Sequence, residues 1–120
     1  MEQQHIDLAF LEQFTKGDKT RMAKYIRMFL KAAPGGIDAM ETHLEKKEWE
    51  QLKSAAHSLK PQVGYMGIGS LKETVQRIEE YAREQRRTDE IPVLVNQVRS
   101  TCQSAFEELR VAADRLESEA

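Results

Sequence analysis

Ala55-Ala56-His57-Ser58-Leu59-Lys60-Pro61-Gln62-Val63-Gly64-Tyr65-Met66-Gly67 is the stretch that decides the fold. Wound as a helix, it gathers Leu52, Ala55, Ala56, Leu59 and Val63 into an apolar face. His57, Lys60, Pro61 and Gly64 recur at three- and four-residue steps and line the other face. The pattern predicts an amphipathic helix that buries its apolar side and turns His57 toward solvent or a partner. Lys60 sets an ammonium one turn away, and Gly64 leaves the approach beyond it almost bare. A solvent-facing imidazole with a nearby cation and a cleared approach suits a phosphoryl group passing from one protein to another.

The flanking sequence has the same period. The helix around His57 should run from Glu48 to about Tyr65, with Trp49 as an anchor in the core or at its rim. Pro61 removes the backbone donor that would bond the His57 carbonyl, so a bend is expected just after the histidine. Gly64 and Gly67 should close the helix. Upstream, Asp18 to about Lys47 carries Met22, Ile26, Phe29, Leu30, Ala33, Ile37, Met40 and Leu44 in helical phase. Pro34-Gly35-Gly36 interrupts that run without shifting its phase, which predicts a kinked helix or two stacked helices on one axis. Before it, Ile6 to Phe14 is a short amphipathic segment, with Ile6, Phe10 and Phe14 on one side and Leu8 and Leu11 flanking. Gly17 stops the segment and Asp18 caps the next helix.

Downstream, Gly67 to about Arg87 has a core stripe of Leu71, Val75, Ile78 and Ala82. Beside it runs a polar stripe of Lys72, Gln76, Glu79 and Arg83. Ser70 and Glu73 have the spacing of a capping box. After the polar turn Arg86-Arg87-Thr88-Asp89-Glu90, Thr88 or Asp89 is expected to cap a last helix that tolerates Pro92 in its first turn. Its stripe runs from Ile91 through Val98, Cys102 and Leu109 to Leu116. These elements predict an all-α protein: an antiparallel four-helix bundle with a short extra N-terminal helix. One domain should span residues 1–120, with frayed tails at about 1–5 and 117–120.

Composition agrees. The 120 residues are 40% hydrophobic and 32% charged, and strand-like runs are absent. A formal charge of -2, with bases and acids interleaved, gives no reason to expect nucleic acid as a partner. Cys102 is the only cysteine, so an internal disulfide or a cysteine metal cluster is excluded, and a packed core position is expected for it. The N-terminus lacks the pattern of a signal peptide, and no apolar run is long enough to span a membrane. The expectation is a cytoplasmic monomer. No Gly-rich phosphate loop or Gly-Lys-Ser/Thr sequence is present, so ATP is not expected to be its own substrate. A bundle metal site would need Glu and Glu-x-x-His sets, which the sequence lacks.

His57-Ser58-Leu59-Lys60, followed by Gly67 ten positions after the histidine, resembles the signature of histidine phosphotransfer (HPt) domains. The helical order fits that family over nearly the whole chain; Pro61 departs from it, standing where the family most often has glycine. The resemblance implies that His57 carries a phosphoryl group. It further implies that Glu79, twenty-two positions on, fixes the imidazole tautomer, and that Arg83 follows one turn later as a basic residue. Lys60 is expected to face the phosphoryl oxygens, because a group held mid-helix is out of reach of helix N-terminal donors. Implied partners are response-regulator receiver domains, which bring their own Mg²⁺, and a hybrid histidine kinase. No cofactor of its own is implied. The chain would then be a stoichiometric carrier rather than an enzyme. The receiver should cover Pro61 and Gly64 and meet some of Phe10, Phe14, Met22 and Tyr25. The competing reading is an adaptor that binds a receiver or kinase without carrying phosphate. His5, in an expected loose terminus, and His43, beside charged residues, show no partner pattern.

Overall fold

The structure is a computed structural model that describes residues 5–120. Five helices follow one another: α1 (Ala9–Thr15), α2 (Lys19–Glu45), α3 (Trp49–Tyr65), α4 (Ser70–Glu84) and α5 (Ile91–Glu119). Helices α2 to α5 form an antiparallel bundle in which α2 packs on α5 and α3, and α4 packs on α3 and α5. The short α1 leans on α2. The stripes read from the sequence meet inside: Ile26, Ile37, Met40, Leu52, Val63, Ile78, Ile91 and Leu109 are fully buried. Trp49 packs against this core from its edge.

The run Pro34-Gly35-Gly36 lies inside a single unbroken α2. In a helix interior proline costs about 3 kcal/mol and each glycine about 1 kcal/mol relative to alanine. Ala33, Ile37 and Met40, on either side of the interruption, are all buried. Burying each large side chain returns roughly 1.5–3 kcal/mol, so the tertiary contacts outweigh the local penalty and the helix continues. Pro61 likewise sits within α3, which runs on to Tyr65.

Helix ends follow the expected signals in part. Asp18 caps α2 by accepting a bond from the Arg21 N–H at 3.0 Å. Gly67, and not Gly64, ends α3. Gly67 has a φ of 67°, and the Ile68 N–H returns to the Val63 carbonyl at 2.9 Å. An added Cβ at Gly67 would run into the Asp7 backbone, so the segment before α1 crosses directly over this turn. The Ser70–Glu73 capping box does not form. Gly69 is the N-cap of α4, and the first turn is held by backbone bonds from Leu71 to Ile68 and from Lys72 to Gly69. Glu73 instead pairs with Arg77 at 2.6 Å. Neither Thr88 nor Asp89 caps α5. The turn before it closes through backbone bonds, leaving Glu90 at the N-cap with no side-chain bond, and Pro92 falls in the first turn.

Side-chain bonds reach both ends of the described residues. Of the tail expected at 1–5, only His5 is among the described residues. Its backbone N–H and Nδ1 both meet the Glu108 carboxylate, at 2.8 and 2.5 Å. Helix α5 continues to Glu119, where Glu117 bonds Arg27 and Glu119 bonds Lys19 at 3.0 Å. His43 also has a partner, Glu48, at 2.9 Å. Cys102 is fully buried, and burial pushes its thiol up to about 11. No described helix is long and apolar enough to cross a membrane.

Candidate functional site: His57 between α3 and α4

His57 sits on α3 because Leu52, Ala56, Leu59 and Val63 fill the opposite side with core contacts. Its side chain is 68% exposed. Glu79 stands across the helix pair on α4. Its backbone belongs to the stripe that buries Val75, Ile78 and Ala82, and its side chain is only 8% exposed. His57 Nδ1 lies 2.8 Å from Glu79 Oε2. Lys60, 30% exposed, donates to Glu79 Oε1 at 2.9 Å and to Gln76 Oε1 at 2.8 Å. The Gln76 amide in turn donates to Glu80 Oε1 at 2.8 Å. Both carboxylate oxygens of Glu79 are thus engaged, one by the imidazole and one by the ammonium.

The charge state follows. Burial by itself pushes the Glu79 carboxyl up, but the hydrogen bonds from Lys60 and His57 outweigh it, leaving the group below its ordinary range and ionised at neutral pH. An ionised carboxylate only accepts, so the proton of the His57–Glu79 bond resides on Nδ1. Whenever the ring is neutral its Nε2 lone pair is then free, on a side chain that is largely exposed. This is the tautomer a nucleophilic imidazole needs.

Arg83 does not join the group. It is exposed and makes no bond to His57, Lys60 or Glu79. The reason is the antiparallel pairing of the two helices. Going forward from His57 to Lys60 on α3 corresponds to going backward from Glu79 to Gln76 on α4. Arg83 lies one turn in the wrong direction. Gln76 was visible in the sequence as a member of the polar stripe, and the antiparallel register is the signal that would have singled it out.

The residues expected to meet a partner divide. Pro61 and Gly64 are exposed beside His57, and a Cβ on Gly64 would meet nothing within 4 Å. Phe10 and Phe14 are about half exposed, at 48% and 52%. Both approach Tyr65, with ring centroids 5.4 and 6.3 Å away, and Phe14 stands edge-on to the half-buried Tyr25 at 5.6 Å. Met22, by contrast, is 6% exposed and belongs to the core; on α2 it shares the inward face with Ile26 and Phe29. From α1 the side chain that enters the core is Leu11, which frees the two phenylalanines for the surface. Tyr65 and Met28 complete an apolar surface around a hollow of about 440 Å³. Among the described residues no cluster of His, Cys, Asp and Glu is arranged to hold a metal ion.

A family model described as "Hpt domain" matches residues 24–119, and the chain belongs to that family. The matched span opens within α2, so α1 with Phe10 and Phe14 lies outside it. No curated protein matches the sequence. Among solved structures, histidine-containing phosphotransfer protein B (HptB) from Pseudomonas aeruginosa PAO1 is similar. The TM-score is 0.81 at 19% identity, over 92% of this chain and 96% of that one. That likeness supports the bundle with its short N-terminal helix.

Proposed function

We propose that the chain is a phosphohistidine carrier of a multistep two-component phosphorelay, and that His57 Nε2 is the atom that bears the phosphoryl group. The observation that carries this reading is the 2.8 Å bond between the Nδ1 of an exposed imidazole and a buried, ionised Glu79. In the forward step Nε2 attacks the phosphorus of an aspartyl phosphate on a receiver domain. The N–P bond forms, the P–O bond to the aspartate breaks, and the carboxylate leaves. No proton need move, because Nδ1 keeps its own. The ring gains positive charge as the bond forms, and the Glu79 carboxylate faces that charge directly. The return step to a second receiver is the reverse.

Lys60 has two roles in this reading. Two of its three donors hold Glu79 and Gln76, which keeps Glu79 ionised and in place. The third remains for a phosphoryl oxygen. The receiver supplies Mg²⁺ and covers His57, Pro61 and Gly64, with Phe10, Phe14, Tyr25 and Tyr65 forming the apolar flank. A hybrid histidine kinase stands upstream of the relay, and the chain needs no nucleotide or cofactor of its own.

The test is transfer from a radiolabelled receiver phosphate. Label should appear on this chain, be labile to acid and stable to base, and be absent from His57→Gln. Binding without label, across several receivers, would reject the carrier and favour an adaptor.

A further inference from the structure

We infer that Lys72 is the contact that takes an acidic side chain of the docked receiver and so helps select the partner; the inference rests on the reading of His57 above. His57, Pro61 and Gly64 on α3, Gly69 at the N-cap of α4, and Lys72 and Gln76 on α4 line one continuous groove of about 980 Å³. The pairs His57–Glu79 and Lys60–Gln76 fix how the two helices run past each other. The same register sets Lys72 opposite Gly64. Gly64 is seven residues on from His57, so that point is about 10 Å along the helix from the histidine. A lysine there starts about two helical turns from the histidine. It is well placed for a protein that covers Nε2 and extends along the groove.

Three observations favour an acidic group as its counterpart. Lys72 is exposed and makes no ion pair among the described residues, whereas its neighbour Glu73 is taken by Arg77. Gly64 leaves open space across the groove, so the lysine arm can lie over the α3 face with its charge outward. And nothing in α4 itself asks for this cation, since a positive charge in the first turn opposes the helix macrodipole. The other cation of the groove, Lys60, is already held by Glu79 and Gln76. Lys72 is the charge left facing a partner.

The experiment measures binding of isolated receiver domains from the source organism to wild type, Lys72→Glu and Lys72→Arg at about 20 mM and about 0.5 M salt. Reversing the charge should weaken binding roughly tenfold at low salt, shrinking to twofold or less at high salt, while the arginine variant stays near wild type. Labelling of His57 by phosphoramidate, a small donor that needs no docking, should be the same in all three. Equal binding of wild type and Lys72→Glu at low salt overturns the inference. So does a matching fall in phosphoramidate labelling, which would place Lys72 at the phosphoryl group. If wild type binds receivers and takes their phosphate while Lys72→Glu does so equally, only this inference fails. If wild type binds no receiver, the relay reading fails and takes this inference with it.

Discussion

Helix pairs α2–α5 and α3–α4 both cross-link antiparallel helices through charged side chains, yet they place those charges differently. Between α2 and α5 the links lie at the rim. Arg27 meets Asp114 and Glu117, Arg99 meets Glu41 and Asp38, and Lys19 meets Glu119, all on side chains that are partly or largely exposed. Between α3 and α4 the link passes through Glu79, which the helices enclose. Rim pairs gain little, because water solvates the separated charges almost as well. Enclosing a carboxylate costs desolvation free energy, which only good partners offset. The α3–α4 arrangement is hard to account for as a means of stability, since an apolar residue facing His57 and Lys60 would avoid that penalty. It makes sense if the carboxylate is there to hold the imidazole.

The two helix pairs differ most at Glu79. Glu79→Ala should lower phosphoryl transfer roughly ten- to a hundredfold, as expected for losing the group that sets the tautomer and opposes the growing ring charge. Single-turnover transfer from a labelled receiver measures this, and a rate within twofold of wild type would end the assignment. The same residue gives a pH signature. Its folded pKa is depressed, so its contribution to stability is present above its ordinary value of 4.5 and is lost as pH falls through the lower folded value. The gap in urea midpoint between wild type and Glu79→Gln should therefore narrow from pH 7 to about pH 3. A gap that widens toward acid would show that the carboxylate is not stabilised by its partners.

Gln76 should come next. Gln76→Ala removes one of the two acceptors that hold the Lys60 ammonium. The expected loss of transfer rate is about two- to fivefold, in line with the net worth of one hydrogen bond to a charged group acting at second hand. The double variant with Lys60→Ala should be no slower than Lys60→Ala alone, and additive losses would mean that Gln76 acts elsewhere. The smallest effect belongs to the rim. Arg27→Ala should leave transfer unchanged and the thermal midpoint within error of wild type. A large drop would show that the α2–α5 ion pairs contribute more than exposed pairs usually do.

The bundle was legible because each helix has one apolar stripe and every stripe needs the others. Periodicity was strong enough to carry α2 through Pro34-Gly35-Gly36, where local propensity alone argues for a break. The expected caps at Ser70 and at Thr88 or Asp89 do not form, because capping patterns describe an isolated turn and here backbone bonds from the preceding residues close the turn first. His57 and Lys60 share the carboxylate of Glu79, the residue that the resemblance to HPt domains singled out. Gln76 joins the group and Arg83, implied by the resemblance, does not, because an antiparallel bundle gives the direction of each helix while packing sets the register between them. Met22, expected also as a partner contact, is buried because it keeps the helical phase of Ile26 and Phe29.

Cys102, the single cysteine, lies on α5 with its sulfur sealed in the core and its thiol pushed up to about 11. A thiol reagent in neutral buffer can therefore react only with molecules that have transiently opened, and the folded protein carries its own clock for that opening. Because no other thiol competes, the labelling rate counts excursions of the bundle without any added probe. Run with and without a bound receiver, the same clock reports how far grip on the α3–α4 face is felt in the core beneath α5.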